Sequence, residues 1–384
     1  MYVSRFTTLD NFPLAPAEWD RLAAGRFFLT WTWLECWWRH YRNKPGNRTE
    51  LYTLGVYDDA GRVVGVAPWY AERTATGAGV IRFLGSGEVC SDHQSLLTPP
   101  GRETEVAEAI AEWLADERPT VSDWLTGQAH DRWDHLEFDC IDQRDVAMQR
   151  LFAQLADRGC LVDRRAGLNC WSIELPATWD ELLSRLSKNR RAQVRKTVER
   201  LSDRSRFSVH EVTTAADFER GWSVLVDLHQ RRWQSLGKRG CFASARFTAF
   251  HRDVAQRLLE RGELRLWWLE HAGRPISAEY HFLHQDTLYA YQSGVDPESL
   301  DLEPGRMTQT ASKQWAIARG LPRYDYLRGE ERYKANWRAE PHPTWDIRIA
   351  APRIAPRLAH GVWRAKRNVK GWIKTGLRRA GYSY

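Results

Sequence analysis

Four short patterns occur twice in this chain, in the same order, and that duplication limits the possible folds more than any other feature. Residues 56–67 read as a strand, a turn at Asp59-Ala60-Gly61 and a second strand. Residues 269–278 repeat the form, with Ala60-Gly61-Arg62 matching Ala272-Gly273-Arg274. A strand running into Ser-Gly comes next in each copy, at 81–87 and at 288–294. Pro-Gly-Arg then opens a helix, at Pro100-Gly101-Arg102 and at Pro304-Gly305-Arg306. A further strand closes each copy, at 135–139 and at 323–327. The separation between matched patterns shrinks steadily along the chain. That is the behaviour of a duplicated domain with shorter loops in its second copy.

Helical stretches precede each hairpin, 16–25 and 31–41 in the first copy, 217–236 and 247–261 in the second. The latter two end at Gly237 and Gly262, which suit helix C-caps. Each copy therefore reads helix, helix, strand, strand, strand, helix, strand. The expected class is α/β, with two fused halves and mixed central sheets. Residues 1–160 form the first half, 161–350 the second, and 351–384 a basic helical tail. One long helix over 179–201 is expected to join the halves. No Ser/Gly-rich or Pro-rich linker separates them, so they are expected to pack as one body.

Composition excludes several classes. With 384 residues, 43% of them hydrophobic, the chain can bury a core without disulfides or metals. Its greasiest stretch, 27–38, is too short for a membrane span and holds Thr30, Thr32 and Glu35. Cysteines at 36, 90, 140, 160, 170 and 241 show no CxxC pair and no tight Cys/His spacing, so no metal site is read from them. Reduced thiols and a cytoplasmic location are the simplest expectation. The net charge of +7 is local: residues 347–384 carry ten Lys and Arg and no Asp or Glu, which leaves the rest at −3. A body so close to neutral argues against DNA as a partner and disfavours tRNA. The tail combines nine basic residues between Arg353 and Arg379 with Leu358, Val362, Trp363, Val369, Trp372 and Leu377. It is expected either to dock on the body or to make peripheral contact with an anionic membrane at its inner face.

The order of elements resembles the GNAT-type acyltransferase fold. Several pieces of the second half resemble the CelD-like acetyltransferase family of exopolysaccharide and cellulose operons. They are Leu228-His229 with Arg231-Arg232-Trp233, the segment from Gly273 to Ala278, Tyr289-Ala-Tyr291-Gln292-Ser-Gly294, Pro304-Gly305-Arg306, and the segment from Asp325 through Gly329-Glu330 to Tyr333-Lys334 and Trp337. That family is similar in turn to the Fem-type peptidoglycan aminoacyltransferases. The resemblance implies an N-acyltransferase with acyl-CoA, normally acetyl-CoA, as co-substrate and no permanently bound cofactor. It implies a small-molecule or sugar-nucleotide acceptor, such as an amino sugar of a surface polysaccharide. An aminoacyl-tRNA donor and an inactive scaffold are the alternatives. One departure stands out. The usual phosphate loop, Gln/Arg-x-x-Gly-x-Gly/Ala, is reduced here to Pro304-Gly305-Arg306-Met307.

Individual residues give the candidate site. A helix opening at Gly305 offers free N–H groups to an anion, Arg306 adds charge, and no acid follows until after Gly320. The first copy instead places Glu103, Glu105, Glu108 and Glu112 after Arg102, so the donor is expected in the second half at Gly305, Arg306 and Met307. Lys188 and Arg191 share a helix face that suits a phosphate or carboxylate, and Arg232 lies beside a cleft-facing position. Tyr289 and Gln292 lie on a strand that carries donor contacts in the GNAT fold, with Tyr289 as a proton donor to a leaving thiolate. Asp325, then Glu330, then Glu279 are the candidate bases for the attacking amine. Lys334 is placed to neutralise a phosphate or the oxyanion. The Fem-type resemblance puts Tyr333-Lys334 against substrate, and the family resemblance gives Asp92 an acceptor role. Each has a plainer alternative: a turn into a helix, a solvated helix face, or aromatic packing. No metal ligands are expected.

Overall fold

The computed structural model describes residues 1–43, 48–75, 77–115 and 132–379, the last twelve of these as backbone only. Three sheets organise them. β1 (Tyr2–Phe6), β3 (Thr53–Tyr57) and β4 (Val63–Ala67) form a small antiparallel sheet. The second sheet has the order β2 (Arg48–Leu51), β5 (Trp69–Arg73), β6 (Gly79–Phe83), β7 (His135–Asp142), β16 (Thr344–Ala350), β8 (Leu161–Ala166). The third has the order β10 (Phe207–Glu211), β11 (Leu264–His271), β12 (Arg274–His284), β13 (Thr287–Val295), β14 (Arg323–Arg328), β9 (Cys170–Glu174), β15 (Glu340–His342).

The duplication is visible in the strand pairing. Each copy holds one parallel pair, β6 with β7 and β13 with β14, while its other neighbours are antiparallel. A parallel pair needs a crossover, and the crossover contains the helix that Pro-Gly-Arg opens: Glu103–Ala115 in the first copy and Pro304–Ala318 in the second. The mixed α/β class with two similarly ordered halves is as the repeat indicates. Strands from both ends of the second half cross over: β8 at 161–166 and β16 at 344–350 complete the first-half sheet.

The halves share a core. Phe27 stacks on Phe282 with ring centroids 4.5 Å apart, and Trp33 packs edge-on against both Phe250 and Phe282. Burying such rings contributes about 1.5–3 kcal/mol each, so the seam is a stable one. The expected long joining helix is instead two, Trp179–Arg185 and Lys188–Ser202. Ser187 causes the break: its backbone is extended and its hydroxyl accepts from the Arg190 N–H, capping a new helix.

The tail forms one helix, Ile354–Arg379, despite its glycines. Its inner side rests on the first-half sheet through buried Pro356 and His360, and through Trp363 beneath the guanidiniums of Arg165 and Arg348. Ile354, Leu358 and Val362 point outward, 79%, 67% and 56% exposed. The side chains of Val369, Trp372 and Leu377 lie outside the described residues. No described helix is long and apolar enough to cross a membrane.

Candidate active site

β13 and β14 pair only at Thr287↔Arg323, Leu288↔Tyr324 and Tyr289↔Asp325. Beyond that point they diverge, and a cavity of about 580 Å³ fills the opening. Its inner wall comes from β12. Ser277, Glu279 and His281 alternate toward the helix Pro304–Ala318, as the period of two requires. Tyr324 and Tyr326 of β14 supply the facing wall, and Trp337 and Tyr333 close it.

Glu279 sits at the floor, 4% exposed. Thr308 donates its hydroxyl to Oε1 at 2.8 Å, and His281 Nε2 lies 2.7 Å from Oε2. A buried carboxylate so held is oriented for proton transfer. His281 Nδ1 and the Tyr326 hydroxyl are buried without a hydrogen-bond partner among the described residues. Lys313 lies behind this floor, fully buried. Its ammonium donates to the Gln309 carbonyl at 3.1 Å and is ringed by Tyr324, Trp337 and Tyr326 at 4.2, 4.5 and 4.8 Å. Burial pushes it down to about 7, against the pull of the Glu279 charge. The ring faces also favour the cation.

The mouth is basic. Arg190, Arg232, Arg306 and Arg328 line it. Arg306 donates to Thr197 at 3.2 Å and pairs with Glu303; burial, with Arg190 and Arg200 nearby, lowers its pKa. Glu303 precedes the helix in the left-handed region at φ +55°, so a carboxylate stands at a helix end that the downstream sequence leaves free of acids. Gly305 opens on the cavity: a methyl group there would meet only Val295, at 3.6 Å.

The remaining sequence-derived candidates divide clearly. Gln292, Arg232, Tyr333 and Lys334 line the same cavity as Glu279, Gly305 and Arg306. Gln292 donates to Cys241 Sγ at 3.4 Å. Lys334 is 1% exposed and spends its protons on the carbonyls of Leu327, Arg328 and Gly329 and on Glu331, so it braces the turn after β14. Met307 is core, packed with Phe207, Leu269 and Ile276. Arg191 donates to the carbonyls of Ser184 and Leu186, tying off the preceding helix, and Lys188 is exposed outside the cavity lining. Glu330 accepts from the Asn169 N–H at 2.9 Å, away from the cavity.

Asp325 lies on the other face of β14 from Tyr324 and Tyr326. Together with Tyr289 it borders a second cavity, of about 640 Å³, between the halves. Burial works to raise its pKa, but His93 at 3.0 Å, Arg323 at 3.7 Å and the Leu327 N–H at 2.8 Å outweigh that and hold it below the usual carboxylate range. A carboxylate so satisfied is a poor proton acceptor. The Tyr289 hydroxyl donates to the Gly25 carbonyl at 3.4 Å. Asp92 is fully buried and grips Arg328, accepting from its backbone N–H at 2.8 Å and from its guanidinium.

His281, Tyr326, Arg190 and Arg328 line the site without having been singled out from sequence. Arg190 was within reach, lying between Lys188 and Arg191 in the same basic run. The others required knowing which face of each strand meets the helix Pro304–Ala318.

Residues 188–335 match the family described as "Acetyltransferase (GNAT) domain". Among solved structures, FemX shares the fold with a TM-score of 0.61 at 11% identity, over 91% of this chain and 98% of its own. The C-terminal domain of an Agrobacterium fabrum protein assigned as a lysylphosphatidylglycerol synthetase reaches 0.49 at 9% identity, over 92% of this chain and 96% of that one. A tandem GNAT protein from the clavulanic acid biosynthesis pathway reaches 0.45 at 15%, over 92% and 98%. Of the three, FemX alone is close enough to fix a fold. None of the curated proteins matches the sequence. The matched segment makes residues 188–335 a GNAT acetyltransferase domain, which supports an N-acyltransferase enzyme, and the fold is shared with FemX.

Proposed function

We propose that this enzyme transfers an acyl group, acetyl by its family resemblance, from acyl-CoA to an amine in the opening between β13 and β14. The observation that carries this reading is the cavity at the point where the parallel pair separates, with Glu279 at its floor and four arginines at its mouth. The arginines and the helix end at Gly305 suit the phosphates of the donor. The thioester lies along the opening. Glu279 takes the proton from the acceptor ammonium, directly or through His281. The amine adds to the carbonyl carbon, the C–S bond breaks as the Tyr326 hydroxyl gives its proton to the leaving thiolate, and the adduct nitrogen returns its second proton to the tyrosinate, leaving the neutral amide. This places Glu279 ahead of Asp325 and Glu330 as base, and Tyr326 ahead of Tyr289 as acid.

Coenzyme A is expected to raise the melting temperature by mass action. Arg306→Glu should abolish the shift, and Arg102→Glu, in the first copy, should leave it. Equal losses from the two variants would remove the donor from the second half. The fold shared with FemX favours a second reading, an aminoacyl donor delivered on tRNA; no shift with coenzyme A, together with transfer from a charged tRNA, selects it.

An amino sugar of a surface polysaccharide precursor, free or nucleotide-linked, is the acceptor class this reading favours. The tail supports peripheral attachment to an anionic membrane, because Ile354, Leu358 and Val362 face outward on a helix without acids. The full chain should pellet with anionic vesicles at low salt and be released at high salt, and a chain ending at Ala351 should stay in solution. If the full chain also fails to pellet, the helix serves the body alone.

A further inference from the structure

We infer that Asp92, Cys140 and Cys170 form a binding site for a thiophilic divalent metal ion of the zinc class, at the seam between the two halves. The three residues are far apart in sequence and sit on separate elements: the loop after β6, strand β7 and the first residue of β9. Their ligand atoms nevertheless lie within 4.8 Å of one another, and all three side chains are buried. The Cys140 and Cys170 sulfurs are 3.6 Å apart. Two sulfurs on a tetrahedral zinc, each bonded at about 2.3 Å, are separated by roughly 3.8 Å. Two sulfurs and one carboxylate oxygen exclude calcium and magnesium as the favoured occupants.

The surroundings fit a ligand set. Asp92 is held by Arg328, whose backbone N–H donates to Oδ2 and whose Nε donates to Oδ1. Outer contacts of this kind fix the carboxylates of metal sites. The charges also close: two thiolates and one carboxylate against one guanidinium and a divalent ion leave the buried cluster neutral. Backbone strain gathers here as well. Cys90, His93, Cys140 and Leu327 all take positive φ, between +52° and +61°, a conformation that side-chain-bearing residues adopt only where their surroundings impose it. An ion here ties the first-half sheet to the second.

The test uses the full chain, reduced and stripped of metal, titrated with cobalt(II). One equivalent is expected to bind with a near-ultraviolet thiolate-to-cobalt charge-transfer band, and zinc(II) is expected to bleach that band and raise the melting temperature. Cys140→Ser and Cys170→Ser should each lose the band, whereas Cys90→Ser should keep it. Should either variant fail to fold, alkylation of the unaltered chain decides: zinc should slow modification of Cys140 and Cys170 and leave Cys90 unaffected. A band that survives in both serine variants, no band at one equivalent of cobalt in the unaltered chain, or no protection by zinc overturns the site.

Discussion

Glu279→Gln is expected to lower the turnover of acyl transfer by about 10²–10⁴-fold, the usual worth of a positioned general base. The substitution keeps the shape of the side chain and its ability to accept from the Thr308 hydroxyl, so the fold survives. What is lost is the proton acceptor, together with the negative charge that opposes burial at Lys313. The comparison variant is Asp325→Asn. Asp325 is occupied by His93, Arg323 and the Leu327 N–H on the far face of β14, so its loss should act on stability more than on turnover. Steady-state kinetics on an identified acceptor, beside thermal melts of both variants, make the distinction. A fully active Glu279→Gln enzyme beside a folded but inactive Asp325→Asn enzyme would return the base to Asp325.

The second large effect concerns the seam. Asp92→Ala is expected to destabilise the protein by about 3–5 kcal/mol, because it strands the half-buried Arg328 guanidinium without its carboxylate partner. In the intact protein that guanidinium is held by the Asp92 carboxylate and the Ser91 carbonyl. Arg328→Met leaves the buried carboxylate with only the backbone N–H of residue 328 and should cost a similar amount. The double variant should cost clearly less than the two single losses together, since neither charge is then left unpaired. Urea unfolding in the presence of a chelator reads the pair without any contribution from bound metal. Additive losses would show that the two residues do not act on each other.

The sequence determined the duplicated order of strands and helices. Turn chemistry at Gly61 and Gly273 and the helix openings at Pro-Gly-Arg are local preferences, readable wherever they occur. It also made Gly305 and Arg306 of the cavity lining visible, because charge and small size are properties of the residues themselves. Asp92 was visible for the same reason, although its buried grip on Arg328 was not. The break at Ser187 was legible in principle, since a serine followed by a basic helical run is an N-cap pattern. It was hidden by the apolar periodicity on either side.

Tertiary structure alone decided which carboxylate lines the cavity between β13 and β14. Alternation along β14 separates Asp325 from Tyr324 and Tyr326, but alternation does not say which face carries the cavity. That is settled by where the helices Lys188–Ser202 and Pro304–Ala318 pack, and by a register irregularity between Tyr280 and His281 that shifts β12 against β13. The same holds for Lys334, which the Fem-type resemblance places against substrate and packing turns inward to three carbonyls. Cys140 and Cys170 are the extreme case. No sequence period connects two strands in different sheets, and their sulfurs meet only because β7 and β9 are brought together at the seam between those sheets.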